Sequence, residues 1–235
     1  MESILSRIKA ITLDLDDTLW PVWPTIARAE TALYAWLQTH APRTTAKFTS
    51  AEMRSLRDEI VQSRPELHHD IATMRKLSIG LALERAGDDP SLMDGAWDTF
   101  TAERQRIEFY PDSQTALDWM VARYPLAAIT NGNADVSRIG IAHYFKIAIT
   151  AGAAGVAKPD AAIFHLACDH LQLAPHEVLH VGDDPHLDVV GGNQAGLRTA
   201  WINRKNESWD ASHPVRPDHE FPDCAALVRY LDAQN

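Results

Sequence analysis

Five short runs of β-favouring residues punctuate the chain, and several of them end against polar or acidic positions. Residues 8–13 run into Asp14, residues 125–129 into Thr130-Asn131-Gly132, and residues 178–181 into Gly182-Asp183-Asp184. Residues 145–149 and 198–202 are two further runs of the same kind. Helical patterns fill the intervals, at 113–123, 161–171 and 187–195. Strands alternating with helices require crossover connections, which predicts an α/β fold with a parallel sheet buried on both faces.

One interval breaks this rhythm. About a hundred residues separate the first run from the next, where a crossover helix needs only about a dozen. The excess has no strand-like alternation and reads as helices at 24–38, 50–63, 70–86 and 90–107, with Pro24 and Ser50 as start signals and Gly87 and Pro90 marking a stop and restart. The expected organisation is therefore a core of residues 1–19 and 111–235 carrying an all-helical insertion at 20–110. The polar stretch 203–221, with Pro214 and Pro217, reads as a surface connection before a short final helix.

Composition narrows the class. The chain has 235 residues, 46% hydrophobic and 23% charged, the ordinary balance of a folded globular protein. Its formal charge of -10 argues against a nucleic-acid or anionic-membrane surface. The insertion holds 11 Lys and Arg against 13 Asp and Glu, and the rest 11 against 19, so the acidity belongs to the core. Two distant cysteines, Cys168 and Cys224, form no CxxC pair and suit a reducing compartment. No stretch of 18 apolar residues runs together, and residues 1–14 carry no apolar core of leader length, so the expectation is a soluble cytoplasmic protein.

The chemistry gathers where strands should end, which is where open parallel sheets bind ligands. Carboxylates clustered there repel one another unless a cation joins them. Oxygen donors with one lysine nearby and no Cys/His set favour Mg²⁺ over Zn²⁺, and Mg²⁺ commonly shares its shell with substrate phosphate. On this reading Asp14 attacks phosphorus and forms an aspartyl-phosphate, and Asp16 protonates the leaving alcohol and then deprotonates the hydrolytic water. Thr130 and Lys158 hold phosphoryl oxygens, Asp183 completes the metal site, and Asp188 supports it.

These residues resemble the four motifs of the haloacid dehalogenase-like superfamily: Asp14, Asp16 and Thr18 for the first, Thr130 for the second, Lys158 for the third, Asp183 and Asp188 for the fourth. The resemblance implies a Rossmann-like core, metal ligation by Asp14, the main-chain carbonyl of Asp16, and Asp183, and a helical cap that selects the substrate. Asp16 is the residue that phosphatases of this family have and its dehalogenases lack. It points to a phosphatase acting on a small phosphorylated metabolite. A sugar-phosphate mutase and a non-catalytic phospho-ligand binder are the competing readings. The segments 64–70, 128–134 and 179–184 resemble the branch acting on flavin mononucleotide and on the phosphorylated ribitylamino-uracil precursor of riboflavin.

Other conspicuous residues receive plainer expectations. Trp20 and Trp23 pack where the chain leaves the sheet, with stacking on a substrate ring as the alternative. His68 and His69 precede a helix start at Asp70 rather than forming a metal cluster, and Arg75 and Lys76 lie on a solvated helix face. Asn131 sits in the site on substrate or phosphate. Asp17 turns away from it if the loop is extended, and Asp184 supports the Lys158 ammonium or the metal's waters. Cys168 is a small core residue.

Overall fold

A computed structural model describes residues 8–234. Residues 1–7 and 235, which include the ends of the expected core and much of the stretch read as leaderless, lie outside the described residues. The chain divides into two compact units. One holds the described residues through Pro21 together with those from Glu108 onward, and the other is Val22–Ile107.

The first unit is built on a six-stranded sheet of β1 (Ala10–Leu13), β2 (Leu126–Thr130), β3 (Ile147–Thr150), β4 (Val178–Gly182), β5 (Arg198–Ile202) and β6 (His219–Phe221). The order is β3-β2-β1-β4-β5-β6, and every pairing is parallel. This is an α/β fold of Rossmann-like strand order, the class that the strand and helix pattern predicts. β1, β2 and β4 are buried at every position. Strands covered by helices on both faces must read as continuous apolar runs, which is why their sequences show no alternation. Helix Ala161–Leu171 covers one face by burying Ile163, Phe164, Ala167 and Cys168 in a cluster with Ala127, Ile129 and Val178.

Two expectations for this unit are corrected. The stretch 203–221 contains β6, a strand of three residues too short to show a period. It is tied to β5 by Thr199 N–H donating to Asp218 at 2.9 Å and by Asn203 N–H donating to the Phe221 carbonyl at 2.8 Å. The helix expected at 187–195 begins earlier, as a wide helical turn Pro185–Val190 followed by Gly191–Gln194. Among the described residues no helix is long and apolar enough to cross a membrane.

The second unit contains helices Val22–His40, Pro42–Lys47, Ser50–Ser63, Ile71–Ala86 and Met93–Arg104. Local signals set their ends. Thr49 and Glu52 form a reciprocal capping box. Asp70 accepts the Thr73 N–H at 2.9 Å, and Gly87 takes the left-handed φ of 76° that closes the helix Asp70 opens. Residues four apart on facing helices, Ala29, Leu33 and Leu37 with Ala96 and Phe100, join Ile79 and Leu83 in one buried cluster. Helix Ile71–Ala86 also buries Met74, Ser78 and Ala82.

That helix leaves no broad solvated face, which corrects the expectation for Arg75. Its side chain is only 15% exposed and reaches Glu30 at 3.2 Å, and its guanidinium lies 4.1 Å from the Phe100 ring centroid. Glu30 also accepts from Arg54 and Arg57. Burial would raise its pKa, but Arg75 and the other two guanidinium groups hold it below the usual carboxylate range. Lys76 pairs with Asp94 at 2.7 Å.

The second unit begins and ends a little inside the expected 20–110 limits. Tyr110 N–H donates to the Leu19 carbonyl at 3.0 Å, and Trp20 meets Phe109 edge-on at 5.6 Å, so these residues belong with the sheet. Trp20 is fully buried there, whereas Trp23 is 73% exposed. Replacing Phe100 by Ala removes the largest fully buried apolar side chain of the helical cluster and is expected to destabilise the protein by about 3–5 kcal/mol in urea denaturation.

Candidate active site

The strand order reverses between β1 and β4, and the crevice outside the carboxyl ends of strands at such a reversal is where open α/β sheets place ligands. Leu13 of β1 is paired with Val181 of β4. Asp14 continues that ladder by donating its N–H to the Val181 carbonyl at 2.9 Å. Asp14 and Asp183 thus leave neighbouring strands side by side.

Lys158 reaches the same point from the loop after β3. Its ammonium lies 2.6 Å from Asp14 Oδ1 and 2.6 Å from Asp188 Oδ1, with only 2% of the side chain exposed. Asn131, just beyond β2, anchors that loop. Its amide donates to the Lys158 carbonyl at 2.9 Å and its oxygen accepts the Lys158 N–H at 2.8 Å. The Asn131 carboxamide, expected on substrate, is therefore engaged with the Lys158 main chain. Thr130, buried at the end of β2, accepts the Gly132 N–H on its hydroxyl oxygen at 2.9 Å.

The remaining acidic residues separate by partner. Thr18 donates its hydroxyl to Asp14 Oδ2 at 3.0 Å and approaches Asp183 Oδ1 at 3.3 Å. Asp16 is half-buried and accepts the Trp20 indole N–H at 2.8 Å. The loop is not extended at Asp17, whose φ is 61°, a left-handed conformation that Asp tolerates. Asp17 lines a shallow hollow with Asp183, Tyr110, Trp201 and Arg204, so it does not simply turn away. Asp184 also departs from expectation. Its carboxylate caps the turn that follows, accepting the His186 and Leu187 N–H groups at 2.8 Å each. What Asp184 gives Asp188 is its own N–H, 3.0 Å from Oδ2.

Three features escaped the sequence reading. His180 Nε2 lies 3.0 Å from Asp188 Oδ1 and its Nδ1 2.9 Å from Thr12 Oγ1. Trp201 donates its indole N–H to the Asp183 carbonyl at 2.7 Å. Arg204 forks onto Asp112 at 3.0 and 3.1 Å while also donating to the Thr18 carbonyl at 2.9 Å. A histidine inside an otherwise apolar strand was the one available signal. By contrast, among the described residues His68 and His69 join no group that could hold a metal ion.

The electrostatics follow from crowding with little water. Burial, together with repulsion from Asp188 and Asp16, pushes Asp14 up to about 7 against the opposing pull of Lys158. Burial and the charges of Asp14, Asp188 and Asp17 push Asp183 up to about 9. Asp188 is buried too, but Lys158 and His180 hold its carboxyl well below the usual range. Burial would lower the Lys158 pKa, and Asp14 and Asp188 raise it instead, so the ammonium stays charged.

Oxygens of Asp14, Asp183 and Asp188 lie within 4.8 Å of one another. Both oxygens of Asp188 already accept from Lys158, His180 and Asp184. Asp14 and Asp183, charge-crowded and bonded chiefly by one hydroxyl and one ammonium, are the pair able to take a cation. Hard oxygen donors of this kind fit a divalent ion of the Mg²⁺ type.

A parallel sheet of this order thus sets two strand-end carboxylates at its reversal, facing a buried lysine, a site suited to a cation and an anionic ligand. The family profile of haloacid dehalogenase-like hydrolases matches residues 8–196, and the chain belongs to that family. It is 34% identical to the 5-amino-6-(5-phospho-D-ribitylamino)uracil phosphatase YigB of Escherichia coli K12, over 97% of this chain and 98% of that protein. A crystal structure of a 2-haloacid dehalogenase from Pseudomonas syringae pv. tomato DC3000 is 35% identical, with a TM-score of 0.90 over 97% of this chain and 100% of that one. A HAD phosphatase structure from Thermococcus onnurineus shares the fold at 24% identity and a TM-score of 0.69.

Gly182 is the position where this packing leaves no room. A Cβ there would stand 2.2 Å from Asp188 Cγ. Gly182→Ala is expected to cost about 1–3 kcal/mol in urea denaturation, the penalty of forcing an extra methyl into a closed site.

Proposed function

We propose that the protein is a Mg²⁺-dependent phosphatase of small phosphate monoesters that works through an aspartyl-phosphate on Asp14. The observation that carries this reading is the convergence of Asp14, Asp183 and the Lys158 ammonium at the β1/β4 reversal, with Asp16 two residues beyond the nucleophile and held by Trp20. Asp14 would attack phosphorus in line. Lys158, kept protonated by its two carboxylates, offsets the charge of nucleophile and phosphoryl group. Thr130 offers its hydroxyl proton to a phosphoryl oxygen. Asp16 gives its proton to the departing alkoxide and then takes one from the water that cleaves the aspartyl-phosphate, which returns free phosphate and the Asp14 carboxylate. Asp14, the main-chain carbonyl of Asp16 and Asp183 would hold Mg²⁺, which supplies Lewis-acid polarisation of the phosphoryl group and neutralises charge. Asn131 and Asp188 serve by holding Lys158, Asn131 through its main chain and Asp188 through its ammonium.

The similarity to the ribitylaminouracil phosphatase extends over nearly the whole chain and favours a riboflavin-pathway phosphate or flavin mononucleotide as substrate. Two buried free thiols, Cys168 and Cys224, accord with action in the cytoplasm. The Pseudomonas relative supports a second reading, attack of Asp14 on the carbon of a 2-haloacid. Asp16 decides against it, because displacement of halide needs no proton donor for the leaving group.

Both readings meet in one assay. Phosphate release from p-nitrophenyl phosphate, flavin mononucleotide, the ribitylaminouracil phosphate and sugar phosphates is expected with Mg²⁺ and is lost with EDTA. Asp14→Asn should remove about 1000-fold or more of the turnover, and Asp16→Asn about 10²–10⁴-fold. Chloride release from 2-chloropropionate without phosphate release would establish the dehalogenase. Interconversion of sugar phosphates without net release would establish a mutase, and ligand-dependent melting without turnover a binder.

A further inference from the structure

His180 stands at the middle of β4, its side chain fully enclosed. Phe164 packs edge-on against the ring with centroids 4.9 Å apart. The two ring nitrogens meet different partners: Thr12 Oγ1 of β1 at Nδ1, 2.9 Å away, and Asp188 Oδ1 at Nε2, 3.0 Å away. Asp188 is a carboxylate and can only accept there, so Nε2 carries the proton and Nδ1 receives the Thr12 hydroxyl. Burial lowers the ring's affinity for a second proton, which agrees with a neutral imidazole.

A continuous chain of contacts results, from Thr12 through His180 and Asp188 to Lys158 and Asp14. Asp188 Oδ1 is shared between Lys158 and His180, and Oδ2 is held by the Asp184 N–H. Without the imidazole, Oδ1 keeps only the Lys158 ammonium as a partner, and the carboxylate can turn about its bond to the Asp184 N–H together with that flexible side chain. The ammonium it carries could then swing away from Asp14.

We propose that His180 is a positioning residue that locks the Asp188 carboxylate, and through it aims the Lys158 ammonium at the nucleophile Asp14. The proposal rests on the phosphatase reading of the site. It assigns His180 no contact with substrate and no proton to transfer.

The test separates positioning from packing. His180→Phe keeps a ring against Phe164 and removes both nitrogens, while His180→Gln restores an N–H within reach of Asp188. With p-nitrophenyl phosphate and Mg²⁺, His180→Phe is expected to lose about 10–100-fold in kcat, the range for removal of an outer-shell partner. Its KM should stay within about twofold, and His180→Gln should recover most of kcat. Thr12→Val, which removes one hydroxyl from a buried strand, carries the test if His180→Phe does not fold, and should lower kcat in the same sense. Nitrogen-15 spectra of the imidazole should show the Nε2-protonated tautomer in the wild type and in Thr12→Val alike, because Asp188 accepts from Nε2 in both. A folded His180→Phe with wild-type kcat would overturn the proposal, as would a His180→Gln no better than His180→Phe, an Nδ1-protonated ring, or a Thr12→Val with unchanged kcat. A wild type that releases no phosphate would instead overturn the phosphatase reading and take the proposal with it.

Discussion

Lys158 carries its charge into a place with almost no solvent, 2.6 Å from Asp14 and 2.6 Å from Asp188, and the strand ends are arranged around that charge. Desolvating an ion costs several kcal/mol, and a buried pair repays it only when geometry is good and the other donors and acceptors are satisfied. The surrounding structure meets those terms. Asn131 holds both the N–H and the carbonyl of Lys158, Asp184 and His180 occupy the rest of the Asp188 carboxylate, and Thr18 donates to the other oxygen of Asp14. Even so the charges do not balance. With Asp14, Asp183 and Asp188 all ionised around one ammonium, the excess of two negative charges would be that of one divalent cation. The upward shifts of Asp14 and Asp183 express the same imbalance.

The fold and the acidic centre were legible in the sequence for one reason: both depend on local pattern. Strands buried on two faces are apolar runs, and an acidic residue directly after such a run falls at a sheet edge. Helix ends declared themselves through Asp70 and Gly87, while the start read at Ser50 is set by Thr49, one residue earlier. What stayed hidden depends on partners distant in the chain. Asn131 belongs to Lys158, and His180 to Thr12, through contacts 27 and 168 residues apart in sequence. Arg75 looked like a surface residue because a helix packed on more than one side has no single polar stripe. β6 was missed because three residues cannot display a period, and its pairing with β5 exists only in the folded sheet.

Two relatives of about one-third identity that cover nearly the whole chain carry names of different chemistries, phosphate ester hydrolysis and removal of halogen from carbon. An aspartate nucleophile beside a buried lysine suits either, since both need an anion that attacks and a cation that tempers the charge. The reactions part at the leaving group. Halide departs as a stable anion, whereas an alkoxide needs a proton. On the proposed phosphatase reading Asp16 meets that need, and the Trp20 indole N–H, 2.8 Å from its carboxylate, holds the side chain in one place.

The same stretch of backbone also explains how a sheet can tolerate a large insertion a few residues after Asp14. The chain leaves after Leu19 and returns at Tyr110, and these two residues are hydrogen-bonded to each other. Arg204, stacked 3.9 Å over the Tyr110 ring, forks onto Asp112 and donates to the Thr18 carbonyl, pinning departure and return to the end of β5. An insertion whose ends already touch adds little to the closure cost of the sheet, because that cost grows only slowly with loop length. Val22–Ile107 could therefore acquire its own buried cluster without disturbing the register that sets Asp14 beside Asp183.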